Sequence, residues 1–280
     1  MIGKLLEIFS NYTRSLEILY LLEDIKKAVR LDANEVELKN IKEFCEINDL
    51  CLEISDFKII KITDEGKGKF SNKSKVVSLN YPGQGVYHLY ISKDKNIAKM
   101  LKLMEKKNDD NAIGEILGYP KCCIDFFANN KEAQLKLQND YILPALKNSR
   151  NFEFSFYLNY AIRYFDVTLL SHFPHSFDCK HSIKIAKRNL ECIKKHSDGV
   201  AKKFENTLKS AVLYTENQGV FMLKDCNLNN DILEFKDVLS TVKNDLFNML
   251  DKNKAIKIIN KNKIEIAGKT LEDIGFFIFT

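Results

Sequence analysis

Nowhere in the 280 residues does an apolar run approach the roughly 20 residues that a membrane-crossing helix needs. The opening MIGKLLEIFSNYTRSLEILYLLEDI is interrupted by Glu7, Arg14, Glu17 and Glu23, so no signal-peptide core forms. The expectation is a cytoplasmic protein with no membrane partner. Glycine-rich cradles are missing as well: neither G-x-G-x-x-G nor G-x-x-x-x-G-K-[ST] occurs, which removes the backbone loop that dinucleotides and P-loop nucleotides require. The G-x-S-x-G elbow of a serine hydrolase is absent. So are the usual metal spacings, since there is no C-x-x-C, no H-E-x-x-H and no second cysteine pair in zinc-ribbon register. With only five histidines and four prolines in the chain, any clustering of either is informative.

A hydrophobic content of 45% beside 29% charged residues suits one compact unit with a buried core. Forty-three lysines and arginines against 38 acids give a net charge of +5, an excess that would serve an acidic partner only where it is concentrated. Seven cysteines, an odd number in a chain without an export signal, read as reduced thiols.

The periodicity predicts an α+β fold, with a helical central block and small antiparallel sheet segments on its N-terminal and C-terminal sides. Ile2, Leu5, Leu6 and Phe9, then Ile18, Leu19, Leu22, Ile25 and Val29, recur at helical spacing, so the first thirty residues read as helix broken near Asn11. A second helix is expected from about Asn34 to Ile47. Alternation in CLEISDFKIIKI, KVVSL and GVYHLYI predicts a strand meander, with the run 64–75 as an exposed hairpin or loop. Residues 93–210 read as helical, including the aromatic stretch FYLNYAIRYFDVTLL. Beyond them VLYT, GVFMLK, AIKII, KIEIA and FFIF are strands, with a helix near Leu239 to Leu250. The expected organisation is a single unit over 1–280, divisible into 1–92, 93–210 and 211–280.

Two stretches of the central block carry the chemistry. In LGYPKCCIDFF, Gly118 suits the left-handed end of one helix and Pro120 the first position of the next, which sets Cys122 and Cys123 in a first helical turn. Unpaired amides and the helix dipole favour thiolates there. Adjacent cysteines make a poor disulfide, because their Cα atoms are about 3.8 Å apart where a good bridge wants roughly 5.5 Å. Some fifty residues on, SHFPHSFDCKHS supplies His172, His175, Cys179 and His181 within ten positions. If the segment is helical from Phe177, with Ser176 as its cap, His175 and Cys179 fall on one side. The ordinary reading of the cysteine pair is a small apolar helix face. Histidine and cysteine together nevertheless suit zinc or an iron-sulfur centre. Cys122, Cys123, Cys179, His172 and His175 are the candidate ligands, and a shared tetrahedral ion would hold their donor atoms roughly 3.3 to 3.8 Å apart.

GYPKCCIDFF and HFPHSFDCKHS together resemble a prokaryotic, largely archaeal family catalogued as domain of unknown function 483. The resemblance covers mostly the helical centre. It implies a second motif with a further cysteine after its proline, where this chain has His175. That departure weakens a four-thiolate cluster more than a zinc or mixed-ligand site. The resemblance implies no reaction.

Other chemistries draw on the same residues. Cys122 or Cys123 is a candidate nucleophile with His172 or His175 as base, oriented by Asp166 or Asp178. A redox pair with Cys179 as resolving thiol is the metal-free variant. Arg163 offers forked donors to a small anionic substrate, or pairs with Asp166. The leading expectation is thus a metal-binding or thiol-dependent enzyme acting through Cys122, Cys123, His172 and Arg163. The alternative is an RNA-binding or RNA-modifying protein with a structural Cys/His cluster. Its contact would be the basic face between Lys180 and Lys203, centred on Lys184, Lys187 and Arg188, with Tyr157, Tyr160, Tyr164 and Phe165 as stacking candidates. A solvated amphipathic face is the commoner meaning of such a run.

Overall fold

A computed structural model describes residues 1–62, 73–136 and 140–280. The fold is α+β. The N-terminal part runs α1 (Ile2–Phe9), α2 (Tyr12–Leu22), β1 (Ala28–Ala33), α3 (Glu35–Ile47), β2 (Cys51–Ile54), β3 (Lys58–Lys61), β4 (Ser74–Val77) and β5 (Tyr87–Ser92). The break after α1 is where the apolar spacing places it. Ser10 turns left-handed at φ 65°, and Asn11 caps α2 by accepting the Arg14 amide. Asn34 opens α3 with a reciprocal capping box to Glu37. Most of the run 64–75 lies outside the described residues, and only its end appears, at the start of β4.

The helical reading of Val29 is corrected by β1. Asp24, at φ 55°, ends α2, and the Ile25 and Lys26 amides fold back onto the Tyr20 carbonyl. The chain then pairs antiparallel with β5 from Ala28↔Ser92 to Ala33↔Tyr87. Val29, Leu31 and Ala33 are buried at the two-residue period of a strand. Spacing from Ile25 to Val29 therefore matched a helix by coincidence. Strand β5 is central in the sheet β1-β5-β2, and β3 and β4 form a separate hairpin.

The central block contains α4 (Lys95–Lys106), α5 (Asp110–Ile116), α6 (Lys121–Lys136), α7 (Ile142–Asn148), the short β6 (Glu153–Phe154), α8 (Lys180–His196) and α9 (Asp198–Leu208). The aromatic stretch between β6 and α8 is not a helix: it forms two 3-10 turns, Phe156–Leu158 and Arg163–Phe165. Long-range bonds hold it out of regular helix. The Asn159 side chain donates through Nδ2 to the Leu208 carbonyl at 2.8 Å, and the carboxylate of left-handed Asp166 accepts the Tyr12 and Thr13 backbone amides at the start of α2, at 2.6 and 2.9 Å.

The C-terminal part adds β7 (Ala211–Thr215), β8 (Gly219–Lys224), β9 (Asn227–Asn229), β10 (Ile232–Glu234), β11 (Asp237–Ser240), α10 (Asp245–Asn253), β12 (Ala255–Asn260), β13 (Lys263–Ile266), β14 (Lys269–Leu271) and β15 (Gly275–Phe279). The helix expected from Leu239 starts later, because Leu239 pairs with Met222 in a strand and Asn244 supplies the cap. One sheet has the order β11-β8-β7-β15-β6 and the other β14-β13-β12-β10-β9. Pairing is antiparallel except between β15 and β6. Strands β7, β8 and β15 are buried on both faces, which explains their unbroken apolar runs. Val212, Tyr214, Val220, Met222, Phe277 and Phe279 join a core that reaches from Ile2 to Phe279. The alternate residues Leu213, Phe221, Leu223, Phe276 and Ile278 face a second core closed by α10 and the other sheet.

Candidate metal centre

Residue chemistry at the end of α5 sets the first half of the site. Gly118, at φ +77°, carries the chain out of the helix while the Tyr119 amide bonds the Gly114 carbonyl at 2.9 Å. The Pro120 carbonyl accepts the Ile124 amide, so Pro120 occupies the boundary position and α6 begins one residue later than proline at the first helical position would imply. Cys122 and Cys123 both lie in the first turn. Cys123 is buried and Cys122 half-buried, yet the two sulfurs lean together, 3.9 Å apart.

The second half is a turn leading into α8. The His175 carbonyl accepts from the Asn148 side chain at 3.1 Å, and the Phe177 amide donates to Ser149 Oγ at 2.8 Å, both at the end of α7. Phe177 packs against Phe154, Phe277 and Phe279, which anchors the turn in the main core. The helix expected from Phe177 begins instead at Lys180, and Cys179 is its cap, with Sγ accepting the Ser182 amide at 3.5 Å. His175 and Cys179 thus meet through a turn and not along one helix face.

The two halves converge. Cys179 Sγ lies 3.9 Å from both Cys122 Sγ and Cys123 Sγ, and His175 Nδ1 lies 3.6 Å from Cys123 Sγ. All four donor atoms are within 4.8 Å of one another. On a tetrahedral zinc, two thiolates stand about 3.8 Å apart and a thiolate and an imidazole nitrogen about 3.6 Å. The residues therefore fit a single ion. Two N–H···S bonds support the sulfurs, from the His175 amide to Cys123 at 3.4 Å and from the Ser182 amide to Cys179. The N-termini of two long helices also point at the cluster, where their dipoles favour thiolate charge. Hydrogen bonds from Cys123 and Ser182 push the Cys179 thiol down, and that neighbouring charge together with burial pushes Cys123 up. A cation among three such close sulfurs would relieve the mutual repulsion of their thiolates.

His172 stands outside the donor set. Its Nε2 meets Ser182 Oγ at 2.9 Å, its ring lies on Tyr119 at 5.0 Å, and burial near Lys26 holds its pKa down at about 3. It touches the cluster only through Ser182, whose Oγ is 3.4 Å from Cys123 Sγ. Of the two histidines expected beside the cysteines, His175 is the one among the four converging donors, and His172 meets Ser182 instead. Arg163 is also elsewhere. Its guanidinium donates to Asp140 at 2.7 Å and packs over Tyr160, Tyr164 and Phe173, while Asp166, its expected partner, is spent on α2. The forked donors expected to meet a small anionic substrate are turned inward, since the side chain is 10% exposed and already paired.

Ser182, Asn148, Ser149 and Asp140 were not singled out by the motifs. Ser182 carried one usable signal, its place three residues after the helix-capping Cys179. Nothing local marks the others, whose partners lie 23 to 28 residues away.

Fold and site together define an α+β protein with a Cys3His donor cluster able to bind a metal ion. Residues 88–209, which carry both motifs, match the model of a family described as protein of unknown function (DUF483), and this supports the family resemblance. No curated protein and no solved structure matches the chain. Among the described residues no helix is long and apolar enough to cross a membrane.

Proposed function

We propose that Cys122, Cys123, Cys179 and His175 hold one zinc ion that fastens the start of α6 to the start of α8. The observation carrying this reading is the sulfur triangle of equal 3.9 Å edges with a nitrogen at 3.6 Å. An iron-sulfur cluster surrounds several irons and bridging sulfides, so its cysteines stand farther apart than those on one ion. Four protein donors leave no open position, the pattern of a structural zinc. When bound, the ion would neutralise the crowded thiolates, and Ser182 and the His175 amide would orient them. Protein purified without chelator is expected to contain one zinc per chain and to be colourless, with cobalt substitution giving the intense visible bands of a tetrahedral thiolate site. Brown protein with iron and sulfide would replace zinc by a cluster. A metal-free, folded protein with one fast-reacting thiol would return the cysteines to nucleophilic or redox chemistry.

A second reading rests on a separate observation: Lys184, Lys187 and Arg188 are exposed on α8 and make no ion pair among the described residues. Lys187 lies 5.4 Å over the half-buried Tyr157 ring. Such a face suits an RNA backbone. Affinity for single-stranded RNA should fall with salt by about 0.7 per neutralised phosphate on a log-log plot, and the triple glutamine variant should flatten that slope by about 2. Binding untouched by the three substitutions would leave α8 a solvated helix.

A further inference from the structure

Away from the sulfur cluster, a cleft of about 930 Å³ opens between the β1-β5 face, the β3-β4 hairpin and α4. Its volume is that of a small-molecule site. Four carboxylates border it, and three face a cation within the cleft: Glu105 with Arg30 at 2.8 Å, Asp56 with Lys102 at 2.7 Å, and Asp110 with Lys131; Asp32 lies 3.5 Å from the His88 ring. Six lysines and arginines line the cleft against these four carboxylates, and of them Lys61 makes no ion pair among the described residues, while Lys106 acts on Asp56 only from beyond ion-pair distance. The unspent charge is therefore positive.

A second cavity adjoins the cleft. Arg30 and Asp110 also border this cavity of about 130 Å³, whose walls are apolar at Ile113, Ile124, Phe127 and Phe173. Tyr119, Ser171 and His172 supply its polar groups, and Cys123 lies at its end. A ligand that filled both parts would have a charged outer portion and a compact, mostly neutral inner one.

We infer that this pair of cavities binds a phosphorylated small molecule of nucleotide size, with its phosphate among Lys61, Lys106 and Arg30 and its neutral end directed toward Tyr119 and His172. Lysines act as point charges for such a group, and the narrow inner cavity selects by shape. The inference stands apart from the zinc reading, because none of the groups that hold the phosphate touches the sulfurs.

The test is titration calorimetry and thermal shift with adenosine monophosphate, ribose 5-phosphate and inorganic phosphate as probes, on protein of measured metal content. At least one organic phosphate should bind at least tenfold more tightly than inorganic phosphate. The Lys61→Glu/Lys106→Glu variant should weaken that binding about tenfold or more, a loss of about 1.4 kcal/mol or more. Both residues are exposed, so the fold should survive, and Lys61→Gln/Lys106→Gln gives a second variant, without charge reversal, that should also bind less tightly. Lys252→Glu in the last turn of α10, an exposed position away from both cavities, should bind as the parent does. No probe shifting the melting temperature beyond a potassium chloride control of equal ionic strength would overturn the inference. So would affinity unaltered in the double variant, or equal affinity for inorganic phosphate and the organic probes.

Discussion

Replacing Cys179 by serine is expected to abolish zinc binding and lower the melting temperature by roughly 8 to 16 °C. An ion present at a thousand times its dissociation constant stabilises the folded state by about 4 kcal/mol, and for a chain of this size each kcal/mol moves the midpoint by about 2 to 4 °C. Cys179 is the sharpest position because its sulfur is a donor of the triangle and also caps α8. His172→Gln is the contrasting change: it loses the bond to Ser182 but no donor, so zinc content should stay at one per chain. Chelation of the parent protein should reproduce the Cys179→Ser midpoint, and zinc should restore it. Acidification acts in the same direction, since the bound state holds deprotonated thiols and zinc must compete with protons as pH falls. A Cys179→Ser protein that keeps its zinc and melts within about 2 °C of the parent would refute the staple.

Asp140→Ala should destabilise the chain by about 3 to 5 kcal/mol, the usual result of removing one member of a buried ion pair. Asp140 is 1% exposed and accepts from Arg163 and from the Tyr164 hydroxyl at 2.7 and 2.6 Å. Without it, a guanidinium enclosed by Tyr160, Tyr164 and Phe173 keeps its charge with no counterion. The coupled variant Asp140→Ala/Arg163→Met removes both charges and should recover much of the loss. Urea denaturation measures each step. If Asp140→Ala costs less than about 1 kcal/mol, the pair is not the clamp its burial indicates.

The meeting of GYPKCC and HFPHSFDC is legible in the sequence because both stretches combine rare residue types with local helix-ending chemistry. Gly118 and the Asn34 cap are readable for the same reason, since each acts within a few residues of itself. Less is legible where distant partners decide the conformation. Strand β1 depends on β5, some sixty residues away, and its short apolar pattern fits either period. The 3-10 turns after β6 are held by Leu208 and by the start of α2, which no local pattern announces. Choosing between His172 and His175 required the direction of two side chains three residues apart in a turn. Spacing cannot supply that.

The doubly buried sheet has a consequence for the order in which the chain can assemble. Strand β15 lies between β7 and β6, and its alternate phenylalanines enter both cores. Synthesis delivers β6 long before β15, and β7 and β8 well before it. Until β15 arrives, β6 has no strand partner and β7 offers an open edge flanked by two apolar surfaces. Such a nascent state is exposed to mispairing and association, and loop closure over this distance is slow. Neither core can be completed ahead of the other, so this protein is one whose two halves must wait for the same strand.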